Sequence, residues 1–438
     1  MTTIEAMRKV LGLTAVLVLL LATPHASASP PPDQPLPGYT IDNPPLPPAT
    51  VGGQPSRVLQ GVHRHAAYTI EVPPRWNGRL AMWAHGYRGA STVLTVDPPG
   101  YGLRQKLLDQ GFAWAASSYY ANNYDVKAGV ESTHDLAREF AKLVDKPKDV
   151  FLLGVSMGGH VTGRSLEQYP HFYKGALPMC GVLGDHELFD FFLDYQVVAQ
   201  ALAGIDAYPL PDDYLSAVVP RIKDALGLNG TPNDLGKQFA QVVINRSGGP
   251  RPGAEAAFAF WKDFLFQLSA TSTGDGLSTN PSQLATNVLT HYAPNSPVDL
   301  NQKTERVLPE NPKARLTPKL TEVPRIAGRP TAPVLSLHNL GDLFVPFSME
   351  QQYRRDVRLH GKGDALVQRA IRAVNHCEFS PAEAGRAWDD LVAWVDTGKR
   401  PDGDVVDDPA VVAAPTYGCR FTDPTAYGTG SRKLFAAC

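Results

Sequence analysis

Apolar and polar positions follow two periods along most of this chain, and together they predict alternating strands and helices. Short apolar runs predict strands at 68–72, 80–84, 112–117, 150–155, 175–179, 333–337 and 367–374. Residues 132–143 instead place Leu136, Phe140 and Leu143 on one helical face. Strands that alternate with helices predict an α/β fold with a mostly parallel sheet and helices on both faces.

The alternation stops between residues 185 and 324. Helical patterns at 186–202 and 254–268 are separated there by breaks rich in proline and glycine. Because a structureless loop of this length is improbable in a compact domain, we predict a mainly helical cap inserted between core parts 56–184 and 325–438. A separate domain with its own function is the alternative. We expect the cap to form one wall of a pocket, with most of its aromatic residues in its own core: Phe189, Phe191, Phe192, Tyr195, Phe258, Phe260, Trp261 and Phe264.

The first residues predict export. Arg8 and Lys9 precede an apolar stretch at 10–22 and the small residues 26–28, which is the pattern of a secretory signal over 1–28. The apolar stretch is shorter than the roughly 20 residues that a membrane span needs, although a retained anchor is the alternative. Residues 29–55 are rich in proline and predict an extended, unpaired leader on the surface. We therefore expect a secreted protein without stable membrane insertion.

Composition argues against several classes of partner and ligand. The 41 basic and 43 acidic side chains give a formal charge of -2, which argues against a nucleic-acid partner. His63 and His65 lie in a polar stretch and are interpreted as surface residues, and no cysteine or histidine spacing resembles a zinc site. The acidic run at 402–408 lacks the ligand spacing of a calcium loop. We predict no metal and no cofactor.

Export makes the four cysteines candidates for disulfides. Cys419 and Cys438 lie close together in a tail with few core-forming residues, where a bridge would fasten the segment. That leaves Cys180 with Cys377, and the sequence alone does not exclude the other two pairings. Because Cys180 follows one strand and Cys377 another, both are expected near the carboxyl edge of the sheet, where a bridge is possible.

The strongest chemical motif is Gly154-x-Ser156-x-Gly158. It follows the predicted strand at 150–155 and precedes a helical pattern at 161–169. A serine on a sharp turn between a strand and a helix is lifted clear of its neighbours and can act as a nucleophile. The surrounding pattern therefore favours a catalytic Ser156 over a chance glycine-serine turn.

A nucleophilic serine needs a base and an acid that orients the base. Asp342 follows the strand at 333–337, and His376 follows the last strand, so both are expected at the carboxyl edge of the sheet with Ser156. Asp185 is the alternative acid and His360 the alternative base. The chain order serine, aspartate, histidine is the one expected for this type of sheet.

Two backbone amides are predicted to bind the oxyanion. One belongs to Met157, directly after the nucleophile, and the other to Tyr87, in the turn after the strand at 80–84. Gly86 would let that turn approach the serine. We interpret His85 as a structural residue that forms hydrogen bonds.

On these residues the chain resembles secreted bacterial serine hydrolases of the α/β-hydrolase superfamily. The resemblance rests on Trp76-Asn77-Gly78, His85-Gly86, the motif around Ser156, Gly341-Asp342 with Val345-Pro346, and His376-Cys377. The pair His376-Cys377 is also similar to the tannase and feruloyl esterase group, in which a disulfide ties the histidine loop to a cysteine just before the serine. Here Val155 precedes Ser156, so the bridge implied by that resemblance would have to reach Cys180.

A triad of this kind transfers acyl groups from esters, thioesters and amides alike. We expect hydrolysis of a small or medium carboxylic ester, with an amidase or peptidase as the alternative. A thioesterase or a binding protein without catalysis is a weaker alternative. The expected partner is a small-molecule ester or amide.

Overall fold

The computed structural model describes residues 31–268 and 274–438. The signal expected over 1–28 lies outside the described residues. Within them, no helix combines the length and the apolar character that crossing a bilayer requires.

The strands fall into one large sheet and two small ones. In chain order they are β1 Thr40–Asp42, β2 Thr50–Val51, β3 Gln54–Pro55, β4 Arg57–His63, β5 Ala66–Val72, β6 Arg79–Ala84, β7 Val93–Thr95, β8 Ala113–Ser117, β9 Asp149–Val155, β10 Gly175–Met179, β11 Val334–Asn339 and β12 Leu366–Ile371. The large sheet has the order β12-β11-β10-β9-β6-β8-β5-β4. Its neighbours pair in parallel except around β5, which runs antiparallel to β4 and β8. This topology is the α/β-hydrolase fold, as the sequence predicted.

Helices cover both faces of the sheet, and others fill the long connection between β10 and β11. They are α1 Leu103–Asp109, α2 Val126–Leu143, α3 Met157–Gln168, α4 Glu187–Ala203, α5 Val219–Leu226, α6 Asp234–Arg246, α7 Ala254–Leu268, α8 Leu300–Lys303, α9 Pro312–Leu316, α10 Ser348–Leu359, α11 Pro381–Thr397 and α12 Pro409–Val412. Helices α2 and α3 pack on one face, and α1 and α11 on the other. An apolar core therefore lies on each side of the sheet.

The connection between β10 and β11 is helical from α4 to α7, as expected, whereas its described residues after α7 are mostly irregular and hold only the short helices α8 and α9 and one 3-10 turn. Its apolar core includes Phe191 and Phe239 and is continuous with Leu340, Leu343 and Val374 in the loops that follow β11 and β12. The inserted helices therefore rest on the carboxyl edge of the large sheet. The boundaries at 185 and 324 stay a prediction.

The expectation of an unpaired leader is wrong for the described part of 29–55. Strand β1 pairs in parallel with β7, and β2 pairs with β3. The proline-rich part between β1 and β2 is held by side chains of the large sheet. Gln60 accepts a hydrogen bond from the Leu46 amide, and the buried Glu71 accepts one from the Ala49 amide. A proline removes a backbone donor only at its own position and keeps its carbonyl acceptor, so short strands still pair here, and β3 even includes Pro55.

Candidate active site

Ser156 lies between β9 and α3 on a strained turn. Its φ of 57° and ψ of -122° are rare for a residue with a side chain. A Cβ on Gly154 would collide with the backbone of Gly158, and one on Gly158 with the carbonyl of Ala84. Both glycines are therefore required by close packing, and together with the strained turn they hold the serine at the edge of the sheet.

The structure brings together the three residues predicted as nucleophile, acid and base. The Nε2 atom of His376 lies 2.8 Å from the Ser156 Oγ, and its Nδ1 lies 2.5 Å from the Asp342 Oδ2. The other carboxylate oxygen of Asp342 accepts hydrogen bonds of 2.9 Å from the amides of Phe344 and Val345. Because Asp342 is fully buried and bonded on both oxygens, its orientation toward the imidazole is fixed.

The two alternative residues lie elsewhere. The Asp185 carboxylate accepts hydrogen bonds from the backbone amides of His186 and Ile326, and burial raises its pKa to about 7. His360 is exposed at the end of α10, where its Nδ1 lies 2.9 Å from the Asp356 carbonyl oxygen. Neither forms a hydrogen bond with Ser156 or His376 in the described structure.

The predicted oxyanion turn lies beside the nucleophile. A Cβ on Gly86 would come within 3.1 Å of the Ser156 Cβ, which is tighter than an ordinary contact, so a glycine favours this close approach of the turn. Tyr87 follows it, and Met157 begins α3 directly after the serine. The oxyanion roles of the Tyr87 and Met157 amides stay predictions.

His85 supports this turn. Its Nδ1 lies 2.7 Å from the Gly86 carbonyl oxygen and its Nε2 lies 3.1 Å from that of Ser118, while its ring stacks on Tyr119. Burial lowers the pKa of His85 to about 3, so the ring is neutral near pH 7 and donates to one of the two carbonyls. These contacts fit the structural role that the sequence suggested.

Both predicted disulfides are present. Cys180 joins Cys377 with a Cα separation of 5.2 Å, and Cys419 joins Cys438 at 5.7 Å. The first bridge links the end of β10 to the residue directly after His376. The two sulfur atoms also lie within 4.8 Å of a His376 nitrogen, but they are bonded to each other and offer no thiolate to a metal.

The C-terminal tail supports the histidine loop, which the sequence analysis missed. The Ser431 Oγ accepts hydrogen bonds of 2.8 Å from the amides of Val374 and Asn375. The neighbouring Arg432 forms a buried ion pair with Glu383 at 2.6 Å. The expectation that the tail contributes little to the core is also wrong, since Phe421 and other aromatic residues of the tail are buried. Those aromatic positions were the available signal.

The inserted helices also hold the loops that carry the predicted acid, Asp342, and the predicted base, His376. The Trp261 Nε1 lies 3.0 Å from the carbonyl oxygen of Gly341 and 2.9 Å from that of Val374, so one indole N–H bridges the acid loop and the base loop. The Arg251 guanidinium donates to the Leu340 carbonyl at 2.7 Å. Burial lowers the pKa of Arg251 to about 10, which leaves it charged near pH 7.

A cavity of about 290 Å³ opens at Ser156 between the sheet and the inserted helices. Phe189 and Phe192 of α4 line it together with Tyr87 and Phe344. Four of the eight aromatic residues named for the insert are buried in its own core, which is half of them and not the expected majority. Buried there are Phe191, Tyr195, Phe258 and Trp261, whereas Phe260 is 46% exposed and Phe264 packs at the edge of that core.

Comparison with known proteins gives distant similarities. No family model matches the chain. An o-phthalyl amidase from Xanthobacter agilis is 22% identical over 82% of this chain and 94% of that protein. Among solved structures, an esterase from Aspergillus oryzae is 14% identical with a TM-score of 0.48 over 78% of this chain and 80% of the other. Feruloyl esterase B from Aspergillus oryzae, also 14% identical, has a TM-score of 0.41 over 77% and 79%.

Proposed function

We propose that this protein is a secreted serine hydrolase that cleaves a carboxylic ester through an acyl-enzyme intermediate. The observation that carries the proposal is the continuous set of hydrogen bonds from Ser156 through His376 to Asp342. A serine on a strained turn, with a base on its hydroxyl and a buried acid behind that base, has the geometry for nucleophilic catalysis.

The distances define the role of each residue. The Nδ1–H of His376 donates to Asp342, which leaves the Nε2 lone pair directed at the Ser156 hydroxyl. As the serine oxygen attacks the substrate carbonyl, Nε2 takes its proton, and the carboxylate stabilises the imidazolium. The same proton passes to the leaving alcohol when the tetrahedral intermediate collapses to the acyl-enzyme.

Water completes the cycle. His376 removes a proton from a water molecule as that water attacks the acyl-enzyme, and then returns the proton to the Ser156 oxygen as the carboxylic acid departs. In both halves the amides of Met157 and Tyr87 are the proposed donors to the negative oxygen. Donors of this kind act where charge develops in the transition state.

Amide hydrolysis is the second candidate. It is supported by the similarity to an o-phthalyl amidase, which extends over most of both chains. The same triad can protonate a leaving amine, so a matched pair of substrates must separate the two reactions. Export is supported by the two disulfides, which persist in oxidising compartments, and by the residues at the start of the sequence.

Labelling with a fluorophosphonate, followed by peptide mapping, tests the nucleophile. Ser156 should carry the label, and Ser156→Ala should lower turnover by about 10⁶-fold with the fold intact. Ser216→Ala, which removes an exposed hydroxyl in the insert, is the control and should leave turnover unchanged. Activity retained by Ser156→Ala would refute the proposal. An ester and an amide of one acyl group then identify the preferred bond.

A further inference from the structure

The cavity at Ser156 has the size of a site for a compact ring. Its volume of about 290 Å³ exceeds the roughly 150 Å³ of an apolar cavity that is known to bind benzene. Ser156 and Tyr87 lie on its wall. The part of the substrate that fills the cavity is therefore next to the carbonyl that Ser156 would attack, on either the acyl or the alcohol side.

Aromatic rings line part of this space, beside aliphatic and neutral polar side chains. The Phe344 ring centroid lies 5.0 Å from that of His376 and 6.3 Å from that of Phe192. Further along, the Tyr124 ring lies 5.2 Å from Phe189 in an edge-to-face arrangement and 6.3 Å from Tyr87. Aromatic pairs gain energy at centroid separations of about 4.5–7 Å beyond the area that they bury. A substrate ring in the cavity could therefore form further pairs of this kind with the rings that line it.

The described residues that line the cavity offer no positive charge. Glu310, exposed near the opening, is the one ionisable acidic or basic side chain among its described lining residues apart from tyrosines. The undescribed residues 269–273 are Ser-Ala-Thr-Ser-Thr and add no cation. The buried amide of Gln196 already donates to the Leu265 carbonyl and accepts from the Tyr214 hydroxyl. A carboxylate on the ring would thus lose water without gaining a cationic partner, and that desolvation is costly.

We infer that the part of the substrate held in this cavity is a single uncharged aromatic ring, and that a carboxylate on the ring is rejected. This inference rests on the proposed function and adds to it the chemical class of the substrate. Aromatic side chains supply the affinity, while the absence of a cation, together with Glu310, supplies the discrimination against anions.

Two matched ester pairs test the inference, one with the ring on each side of the ester bond. On the acyl side, methyl 4-methylbenzoate is compared with the monomethyl ester of terephthalic acid. On the alcohol side, 4-methylphenyl acetate is compared with 4-carboxyphenyl acetate. If the amide proves to be the preferred bond, the corresponding amides replace the esters. Each kcat/KM is divided by the rate of alkaline hydrolysis of the same compound, which removes differences in intrinsic reactivity.

The comparison is made within the matched pair, acyl-side or alcohol-side, that the enzyme hydrolyses faster after this correction. In that pair the kcat/KM of the neutral compound should exceed that of the carboxylated compound by at least about 100-fold, because no cationic side chain among the described lining residues offsets the buried charge. The corrected kcat/KM for methyl benzoate should exceed that for methyl cyclohexanecarboxylate by about tenfold, because only the aromatic compound gains contacts between aromatic rings. Phe344→Leu should remove most of this second preference.

Glu310→Gln should lower the ratio of kcat/KM between the neutral and the carboxylated ester about threefold at low salt. The effect should be smaller at high salt, since Glu310 is exposed and salt screens its charge. Glu255→Gln, a change at an exposed carboxylate outside the cavity, is the control and should leave the ratio unchanged. Equal rates on neutral and carboxylated rings, or a preference for the carboxylated or the cyclohexyl compound, would overturn the inference. Such a result with Ser156 still labelled would leave the proposed function intact, whereas an unlabelled Ser156 would remove both.

Discussion

The Ser431 hydroxyl oxygen lies 2.8 Å from the backbone nitrogen of Asn375, the residue that precedes His376. The same oxygen accepts the Val374 amide and donates to the Glu378 carboxylate. One side chain of the tail thus satisfies two donors in the loop that carries the base, which links the position of the imidazole to the C-terminal segment.

Ser431→Ala should therefore lower kcat with little change in KM. The substitution leaves two backbone amides without their acceptor, each at a cost of about 1–3 kcal/mol, and the loop is expected to shift to recover partners. We expect a decrease in kcat of about tenfold, since small displacements of a catalytic group have large effects on rate. Ser431→Thr, which keeps a hydroxyl, should retain most activity, and Thr425→Ala should serve as a control in the exposed part of the tail. An unchanged kcat in Ser431→Ala would show that the loop does not depend on this contact.

Trp261→Phe should also reduce kcat. The change keeps an aromatic ring but removes the N–H that bridges the Gly341 and Val374 carbonyls. Without the bridge, the acid loop and the base loop are expected to separate, and we predict a loss of about tenfold in kcat. Circular dichroism should show an intact fold. Phe260→Leu, a change at the neighbouring ring that is 46% exposed, provides the comparison and should leave kcat near the wild-type value.

Asp342→Asn and Asp185→Asn separate the two candidate acids. Asp342→Asn should lower kcat by about 10⁴-fold, the loss seen when the acid of a serine protease triad is replaced in this way. Asp185→Asn should instead act on stability, because its carboxylate accepts the amides of His186 and Ile326. Steady-state kinetics and urea unfolding of both variants measure the two effects. A larger loss of kcat in Asp185→Asn would contradict the assignment of the acid.

The two disulfides should differ in their effect on activity. Cys377→Ser releases the loop next to His376, so kcat is expected to fall by about tenfold at a temperature where the protein remains folded. Cys438→Ser should change kcat less than twofold, since Ser431 and the Arg432–Glu383 ion pair still hold the tail. Thermal unfolding measured beside activity distinguishes a loosened loop from a lost fold. Equal kcat values in the two variants would argue against a special role for the Cys180–Cys377 bridge.

His160→Gln should destabilise the protein more at neutral pH than in mild acid. His160 is fully buried, with its Nε2 2.6 Å from the Pro324 carbonyl oxygen, and burial lowers its pKa from 6.5 to about 3. The stability that this neutral ring contributes is present above pH 6.5 and declines as the pH falls, because the unfolded imidazole binds a proton that the folded one does not. Between about pH 7.5 and about pH 5, this contribution to the free energy of unfolding falls by about 2 kcal/mol.

The cost of His160→Gln in free energy of unfolding should shrink by that amount between the two pH values. Urea titrations of both proteins at each pH measure it. A cost that is the same at both would mean that His160 binds its proton equally well in the folded and unfolded states.

Local patterns were sufficient to predict the parts of the fold that depend on neighbouring residues. Helix α7 and strand β10 have the predicted bounds, and the turn at Ser156 was recognisable from its two glycines and the apolar run before it. Helix α2 begins earlier than the expected residue 132, at Val126, because the Asp125 side chain accepts the Ala128 amide and caps the helix. An aspartate directly before the helical residues is the sequence signal for this earlier start.

Local sequence patterns could not predict contacts between segments that are distant in the chain. Nothing in the periodicity around Ser431 or Trp261 indicates that their polar atoms reach backbone groups more than 50 residues away in the chain. The pairing of β1 with β7 was missed for the same reason, since the prolines dominated the local composition. The convergence of Ser156, Asp342 and His376 was predictable because each residue follows a strand, and the parallel sheet brings those strand ends together.

The bridge made by Trp261 has a consequence for attempts to redesign this protein by recombination. Exchanging the inserted helices for those of another hydrolase would replace the cavity wall and, in the same step, remove the indole that ties the acid loop to the base loop. The inserted helices therefore affect both the range of substrates and the rate of the reaction. A chimaera that keeps an N–H donor at the position of the indole is expected to change its selectivity without this additional loss of rate.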